Sequence, residues 1–102
     1  MSESKDLVVG KNGGMKADKQ KIRMELIPLD AVMKIAEIMT FGSTKYEPDN
    51  WKLVEVERYH GALLRHLEAW QRGERYDKDS GYSHIAHMAC NALFILWLEE
   101  CR

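Results

Sequence analysis

The chain has 102 residues, of which 45% are hydrophobic, and its 15 basic and 16 acidic side chains give a net charge of −1. This composition predicts one folded domain, and the absence of a basic excess argues against a protein that binds duplex nucleic acid. Because a domain of this size buries only a small core, we expect self-association, into a dimer or tetramer, to add to the burial.

The first twenty residues differ in composition from the rest of the chain. They carry three glycines and scattered lysines around one short apolar piece, residues 7–9. This pattern predicts a flexible N-terminal arm over residues 1–20, with a short strand or turn at residues 8–14. The folded domain is then expected over residues 21–102.

The first helix is predicted from Asp30 to Phe41. Pro28 and Asp30 favour a helix start, and Gly42 is a plausible C-terminal stop. The apolar positions that keep helical spacing and should face the core are Val32, Ile35, Ala36, Ile38 and Met39. A turn-rich segment with two large aromatic residues, Tyr46 and Trp51, follows the helix.

A second helix is predicted from Val54 to Arg72 and closed by Gly73. Its predicted core stripe, with steps of three and four, is Val56, Tyr59, Leu63, Leu67 and Trp70. A second stripe lies opposite and contains Arg58, Gly61, Arg65, Glu68 and Arg72. Three arginines on one line would suit a polyphosphate, but by spacing alone a solvated face with an Arg65–Glu68 pair is favoured.

The third helix is predicted from a cap at Ser80 to about Glu100. His84, His87 and Asn91 follow one another at i, i+3 and i+7, so they share one face of this otherwise apolar helix. Such a polar stripe is typical of a site inside a helical bundle. An equally plausible alternative is that these side chains only form hydrogen bonds at the edge of the bundle and have no functional role. The three helices together predict an all-α fold, a small bundle completed by oligomerisation.

The loop before the third helix supplies carboxylates. Glu74, Asp77 and Asp79 lie within reach of the start of that helix. Carboxylates beside imidazoles could bind Mn²⁺, or Mg²⁺ if oxygen ligands dominate. Ordinary solubilising charges are the alternative, more so for Asp79 than for the other two.

Sequence features also predict the location of the protein. No apolar leader opens the sequence, and the longest apolar run, residues 92–98, is far shorter than the ~20 residues that a membrane span needs. Cys90 and Cys101 lie roughly 16 Å apart along one predicted helix, too far for a disulfide. We therefore expect a soluble, cytoplasmic protein with reduced thiols.

Motifs along four fifths of the chain, from about Lys21 to Glu99, resemble a known family. They read KIRMELIPLDAV, TFGSTKY, NW, YHGALLRHLEAW, GE, D, SGYSHIAH and N in order. The chain resembles the phage dATP/dGTP diphosphohydrolase N-terminal family, which itself is similar to a compact form of the MazG-type all-α nucleotide pyrophosphohydrolases. The resemblance implies a phage protein, active in the host cytosol, that cleaves dGTP or dATP to the monophosphate and pyrophosphate with divalent metal ions. The N-terminal arm carries none of these motifs.

One departure from the MazG-type pattern bears on the metal. Those enzymes carry ExxE on one helix and ExxD on the next, whereas this chain reads RHLE at residues 65–68 and HIAH at residues 84–87. Only Glu68 remains as a carboxylate on these helices. Since imidazoles are poor Mg²⁺ ligands, either the metal resembles Mn²⁺, or the histidines bind phosphate and turnover is slow or absent.

The resemblance and the residue chemistry together define a predicted site. The predicted catalytic and metal-binding residues are Glu68, Glu74, Asp77, His84 and His87. The predicted substrate-binding residues are Lys45, Tyr46, Asn50, Trp51, Arg58, Arg65, His66 and Asn91. Tyr46 or Trp51 would stack on the purine and Asn50 would read a base edge. A core role for Trp51, under the loop, is equally compatible with its position.

Two other functions are compatible with the sequence. The first is a non-catalytic nucleotide-binding protein of the same fold, which would sequester a (cyclic) nucleotide signal of host anti-phage defence. The loss of helix carboxylates and the arginine stripe favour it. The second is a purely structural helical oligomer, which leaves the two histidines of the third helix unexplained.

Overall fold

The computed structural model describes residues 8–9, 11, 13–16 and 21–102. Two short strands, β1 (Val8–Val9) and β2 (Met15–Lys16), pair antiparallel with Val8 opposite Lys16. The sequence predicted a short strand or turn at residues 8–14, and a strand forms at Val8–Val9. Most of the predicted flexible arm lies outside the described residues.

Three helices make up the rest of the fold and confirm the predicted all-α class. They are α1 (Leu29–Ser43), α2 (Val56–Gln71) and α3 (His84–Glu100), with short 3₁₀ turns at Met24–Leu26 and Asn50–Leu53. Within residues 21–102, the one β-type pairing is an isolated bridge between Tyr76 and Ser83. No helix in the described part of the chain has the length and apolar character needed to cross a membrane.

The helices form an open layer rather than a closed bundle. α3 lies in the middle, packing extensively along α2 and less extensively against α1. Both outer helices are fully described, and no Cα atom of α1 lies within 8 Å of a Cα atom of α2. A single chain therefore leaves one side of each outer helix without a helical neighbour.

The seam between α2 and α3 has an apolar half and a polar half. Tyr59 packs against Phe94 at one end, and His66 stacks on His87 at the other, so the helices run antiparallel. Trp51 closes the apolar half by stacking on Phe94, with ring centroids 4.5 Å apart, and the Tyr59 hydroxyl donates to the Trp51 carbonyl at 2.7 Å. The aromatic packing thus ties the Asn50–Leu53 turn to both helices.

Three of the predicted helix boundaries differ from the structure. α2 begins at Val56 instead of Val54. α1 continues through Gly42 to Ser43, because the Ser43 and Thr44 hydroxyls donate to carbonyls of the last turn and stabilise the helix end. α3 is capped by Ser83 instead of Ser80, since the Ser83 side chain accepts from the Ala86 N–H. The predicted stop after α2 is confirmed. Gly73 has a φ of +98° and donates its N–H to the Trp70 carbonyl.

Several predicted core residues are more exposed than expected. Val32 and Ala36 of α1 are exposed, and Trp70 of α2 is 46% exposed. The reason is the open layer: α1 and α2 each have α3 as their one helical neighbour, so an apolar side chain away from that contact stays accessible. Among the described residues, the buried hydrophobic residues are Ala69, Cys90 and Leu98.

Candidate functional site

Three histidines meet in the polar half of the α2–α3 seam. The rings of His66 and His87 stack face to face, with centroids 4.3 Å apart and an interplanar angle of 3°. The Nδ1 atoms of His66 and His84 lie 2.8 Å apart, within hydrogen-bond distance. His84 is only 2% exposed. The predicted stripe on α3 therefore points inward, and it meets a histidine of α2.

The loop between α2 and α3 closes the cluster with two carboxylates. After the turn at Gly73, the Glu74 N–H donates to the Ala69 carbonyl, which holds Glu74 against the end of α2. The His84 ring then donates from Nε2 to Glu74 Oε2 at 2.7 Å. This loop contact joins the first residue of α3 to the loop that precedes it.

Asp77 is held in place by its own loop. Its Oδ1 atom accepts from the N–H groups of Asp79, at 2.8 Å, and Ser80, at 2.9 Å. Its Oδ2 atom lies 3.8 Å from His66 Nδ1. Burial by itself would raise the pKa of Asp77, but the two N–H donors and the nearby imidazoles outweigh it and bring the pKa below its ordinary value. Asp77 is therefore an ionised carboxylate facing the histidines.

Burial governs the charge of the imidazoles. Burial lowers the pKa of His66, the His87 ring lowers it further, and the Asp77 carboxylate opposes both effects. Burial also lowers the pKa of His87, against the opposing effect of Asp77. Both rings are thus neutral at neutral pH, and each has a nitrogen lone pair.

This geometry fits a divalent metal ion. His66, Asp77 and His87 each place one ligand atom within 4.8 Å of the other two. Two imidazoles and one carboxylate are a donor set that suits Mn²⁺ or Zn²⁺ better than Mg²⁺, which prefers oxygen. Three protein ligands would leave coordination positions open for a ligand or for water.

A cavity of about 540 Å³ lies beside the apolar half of the seam. Four of the residues predicted to bind substrate line it, namely Tyr46, Asn50, Trp51 and Arg58. Trp51 packs as a core aromatic, since its ring stacks on Phe94, and the residue also borders the cavity. Its stacking on a purine stays a prediction. The cavity also contacts Cys90, whose burial raises the pKa of its thiol to about 11.

The remaining predicted residues differ in their burial and in the groups that they contact. Asn91 is buried and donates from Nδ2 to the His87 carbonyl at 3.0 Å. Arg65 is exposed, and Lys45 is exposed with its Nζ 4.7 Å from the Phe41 ring centroid. Glu68 is exposed and accepts from Arg72 at 2.8 Å, so the α2 ion pair differs from the Arg65–Glu68 pair expected from spacing.

Sequence reasoning did not identify the contact between Ser80 and His87. The Ser80 hydroxyl lies 2.8 Å from His87 Nε2, and its oxygen also accepts the Tyr82 N–H. A serine shortly before a helix is a common N-cap signal, so the sequence predicted that Ser80 caps the third helix. The loop conformation instead directs its hydroxyl to the His87 ring.

Comparison with known proteins places this chain in a family. Residues 11–102 match the family model described as dATP/dGTP diphosphohydrolase, N-terminal. The chain belongs to this family. The match to the dATP/dGTP diphosphohydrolase N-terminal family begins ten residues before Lys21, so part of the predicted arm is included in it, contrary to the sequence analysis.

A curated member of the same family comes from Salmonella phage PMBT28 and is named dATP/dGTP diphosphohydrolase. It is 32% identical to this chain over 89 residues, which are 87% of this chain and 31% of the relative. The chain thus spans about a third of the length of the relative that it matches. No solved structure matches the chain.

Proposed function

We propose that this chain binds a purine deoxynucleoside triphosphate, dGTP or dATP, and hydrolyses it to the monophosphate and pyrophosphate with a divalent metal ion. The observation that carries the proposal is that His66, Asp77 and His87 each place one ligand atom within 4.8 Å of the other two. All three residues lie in the part of the chain that matches the family model. The name of the phage relative supports purine deoxynucleotides as the substrate class.

The metal would be held by His66, Asp77 and His87. When bound, a divalent ion neutralises phosphate charge and polarises the bond to the leaving group. The ionised Asp77 and the two neutral imidazoles supply the ligand atoms without a prior loss of protons at neutral pH. Two other residues that were predicted as ligands, Glu74 and His84, lie next to this centre. Glu68, which was also predicted, is paired with Arg72 and would join the centre only if its side chain moved away from that partner.

The base would bind in the cavity at the other end of the seam. His87 and Phe94 are seven residues apart on one face of α3, a distance of about 10 Å at 1.5 Å per residue. A nucleotide lying along this face would reach from the histidines to the cavity. There Tyr46 offers an exposed ring for stacking, Asn50 an amide for a base edge, and Arg58 a positive charge. Arg65, exposed next to His66, would approach the outer phosphates.

The reaction is tested by incubating the protein with each of the four dNTPs and either Mn²⁺ or Mg²⁺, and by measuring pyrophosphate and monophosphate. We expect equal amounts of both products from dGTP or dATP, faster with Mn²⁺. Asp77→Asn and His87→Ala should each slow the reaction by about 100-fold or more, since a bound metal contributes several kcal/mol. His60→Ala is the control, because His60 is an exposed histidine of α2 to which no role in the site is assigned.

A non-catalytic nucleotide-binding protein is the second candidate function. The observation that favours it is the position of Glu68, the one carboxylate left at the helix positions of the MazG-type pattern, which is exposed and paired with Arg72. Such a protein would sequester a nucleotide, including a cyclic nucleotide signal. Saturable binding of intact nucleotide by equilibrium dialysis, with no products under any metal condition, would establish this function and reject hydrolysis.

A further inference from the structure

We infer that Glu74 and His84 do not bind the metal ion and instead form a hydrogen-bonded chain that orients His66 and leaves its Nε2 atom unprotonated. This inference rests on the proposed function for the identity of the bound metal, but the proton arrangement exists in the metal-free protein. It assigns Glu74 and His84 as positioning residues, in place of the ligand role predicted from the sequence.

Both ring nitrogens of His84 already have partners. Nε2 lies 2.7 Å from Glu74 Oε2, and Nδ1 lies 2.8 Å from the Nδ1 atom of His66. The ring is 2% exposed, so no third group from solvent competes for either atom. A metal ion on His84 would have to displace one of these two contacts. Consistently, His84 is absent from the group of side chains whose ligand atoms lie within 4.8 Å of one another.

The direction of the chain follows from the chemistry of its end. A carboxylate oxygen accepts hydrogen bonds, so His84 donates from Nε2 to Glu74. A neutral imidazole has a single N–H group, which leaves the Nδ1 atom of His84 as an acceptor. Two facing nitrogens 2.8 Å apart need one proton between them, so His66 donates from its Nδ1 atom. The lone pair of His66 is then on Nε2.

The opposite arrangement requires one additional proton, on His84 or on Glu74. In that case His84 would donate from Nδ1, and His66 would carry its proton on Nε2, where it would block a metal ion. An imidazolium at this position would be buried and would lie against the imidazole of His66, with Glu74 as its one direct carboxylate partner. The arrangement with the Glu74 carboxylate as acceptor satisfies both contacts of His84 without that additional proton.

Metal-binding histidines commonly donate their other ring N–H to a group that fixes the ring, and loss of such a partner costs about 10-fold to 100-fold in metal affinity. His84 would play this part for His66, and Glu74 would fix His84 in turn. His66 thereby becomes the ligand most sensitive to a change at Glu74, although Glu74 does not contact it.

The test reads the tautomers of the metal-free protein by two-dimensional ¹H–¹⁵N NMR of the imidazole rings, with His60 as an exposed internal reference. We expect the Nε2–H form for His84 and the Nδ1–H form for His66. On titration with Zn²⁺, the Nε2 signal of His66 should shift. Observation of Nε2–H on His66, of a doubly protonated His84, or of a Zn²⁺ shift confined to His66 Nδ1 would overturn the inference.

Substitutions at Glu74 separate positioning from folding. Glu74→Ala should lower Zn²⁺ affinity about 10-fold to 100-fold and should return His66 to a mixture of tautomers. Glu74→Gln, whose amide oxygen can still accept from His84, should recover much of that affinity. Glu57→Gln is the control, because it removes an exposed carboxylate from the first turn of α2, outside the hydrogen-bonded chain. Unchanged tautomers and affinity in Glu74→Ala would reject the role, and if that variant does not fold, the wild-type spectrum still decides.

Failure of this inference can be told apart from failure of the proposed function. The expected tautomers with Zn²⁺ bound at His66 Nε2, but no dNTP hydrolysis, would remove the proposed reaction and leave the positioning chain in place. Hydrolysis with the opposite tautomers would do the reverse.

Discussion

Individual histidines in this protein experience very different surroundings. His60 is exposed on the outer side of α2, whereas His66 and His87 stack on each other inside the α2–α3 seam. Burial lowers the pKa values of the two stacked rings, so protonation of either one works against the folded state.

We therefore predict that the metal-free protein loses stability on mild acidification. The unfolded chain has histidine pKa values of about 6.5, above those of His66 and His87 in the fold, so it binds more protons as the pH falls below that value. Stability falls through this window. Asp77 contributes in a lower range, because its lowered pKa adds stability that is lost only as the pH falls below about 4.

The measurement is urea unfolding at pH 7, 6 and 5 in the presence of a chelator. A His66→Gln/His87→Gln variant should show a flatter pH dependence over this range, and His60→Gln should keep the wild-type slope. A wild-type stability that rises between pH 7 and pH 5 would contradict the prediction.

The two cysteines should also differ in reactivity. Cys90 is buried, and burial raises the pKa of its thiol to about 11, whereas Cys101 is exposed at the end of α3. Because the thiolate is the reactive form, we predict that a thiol reagent at pH 8 modifies one cysteine in the native protein and both in denaturant. Cys101→Ser should leave no rapidly reacting thiol. Fast modification of that variant would show that the cavity beside Cys90 admits the reagent.

At the scale of the helices, two glycines that look alike in the sequence have opposite roles. Gly42 lies inside the last turn of α1, while Gly73 ends α2 with a φ of +98°. In neither case would an added Cβ meet another atom within 4 Å. The difference between them is therefore one of backbone conformation alone.

We predict opposite effects of alanine at these positions. Gly42→Ala should raise the free energy of unfolding by about 0.5 kcal/mol, because alanine reduces the entropy of the unfolded chain and favours helix. Gly73→Ala should lower the free energy of unfolding by roughly 1 kcal/mol, since an L-residue is disfavoured in the left-handed region. Chemical denaturation of the two variants beside wild type gives the comparison. A destabilising Gly42→Ala would mean that α1 ends before Ser43.

For the whole molecule, the open layer leaves many apolar side chains of α1 and of the segment before it exposed. The exposed apolar side chains there include Ile22, Met24, Leu26, Leu29, Val32 and Met33. Exposed apolar surface of this kind marks interaction sites, and the small number of buried hydrophobic residues within residues 21–102 points to burial that a single chain does not complete.

We predict that the protein is a homo-oligomer that buries this α1 surface. Leu29→Glu and Met33→Glu would place charges in the contact and should shift the protein toward the monomer in sedimentation velocity over a range of concentrations. Leu53→Glu is the control, since Leu53 is 82% exposed outside α1. A wild-type protein that is monomeric at every concentration would disprove the prediction.

Local signals determined much of this fold. Helical spacing of apolar residues predicted three helices, and the conformational preference of glycine predicted the turn after α2 at Gly73. The i, i+3, i+7 spacing of His84, His87 and Asn91 placed them on one face of α3, because that relation depends only on helix geometry. The motifs shared with a known family were also readable in one dimension, and the family match confirms them.

The tertiary structure decided which partners those residues meet. The antiparallel register of α2 on α3 sets His66 against His84 and His87, and the loop conformation brings Glu74 and Asp77 to the same point while Glu68 stays outside. These contacts join residues up to 21 positions apart, so no local periodicity encodes them. The same reason explains why Ser83 and not Ser80 caps α3. The loop conformation places the Ser80 hydroxyl beside His87, so the helix begins three residues later and Ser83 accepts from its first turn.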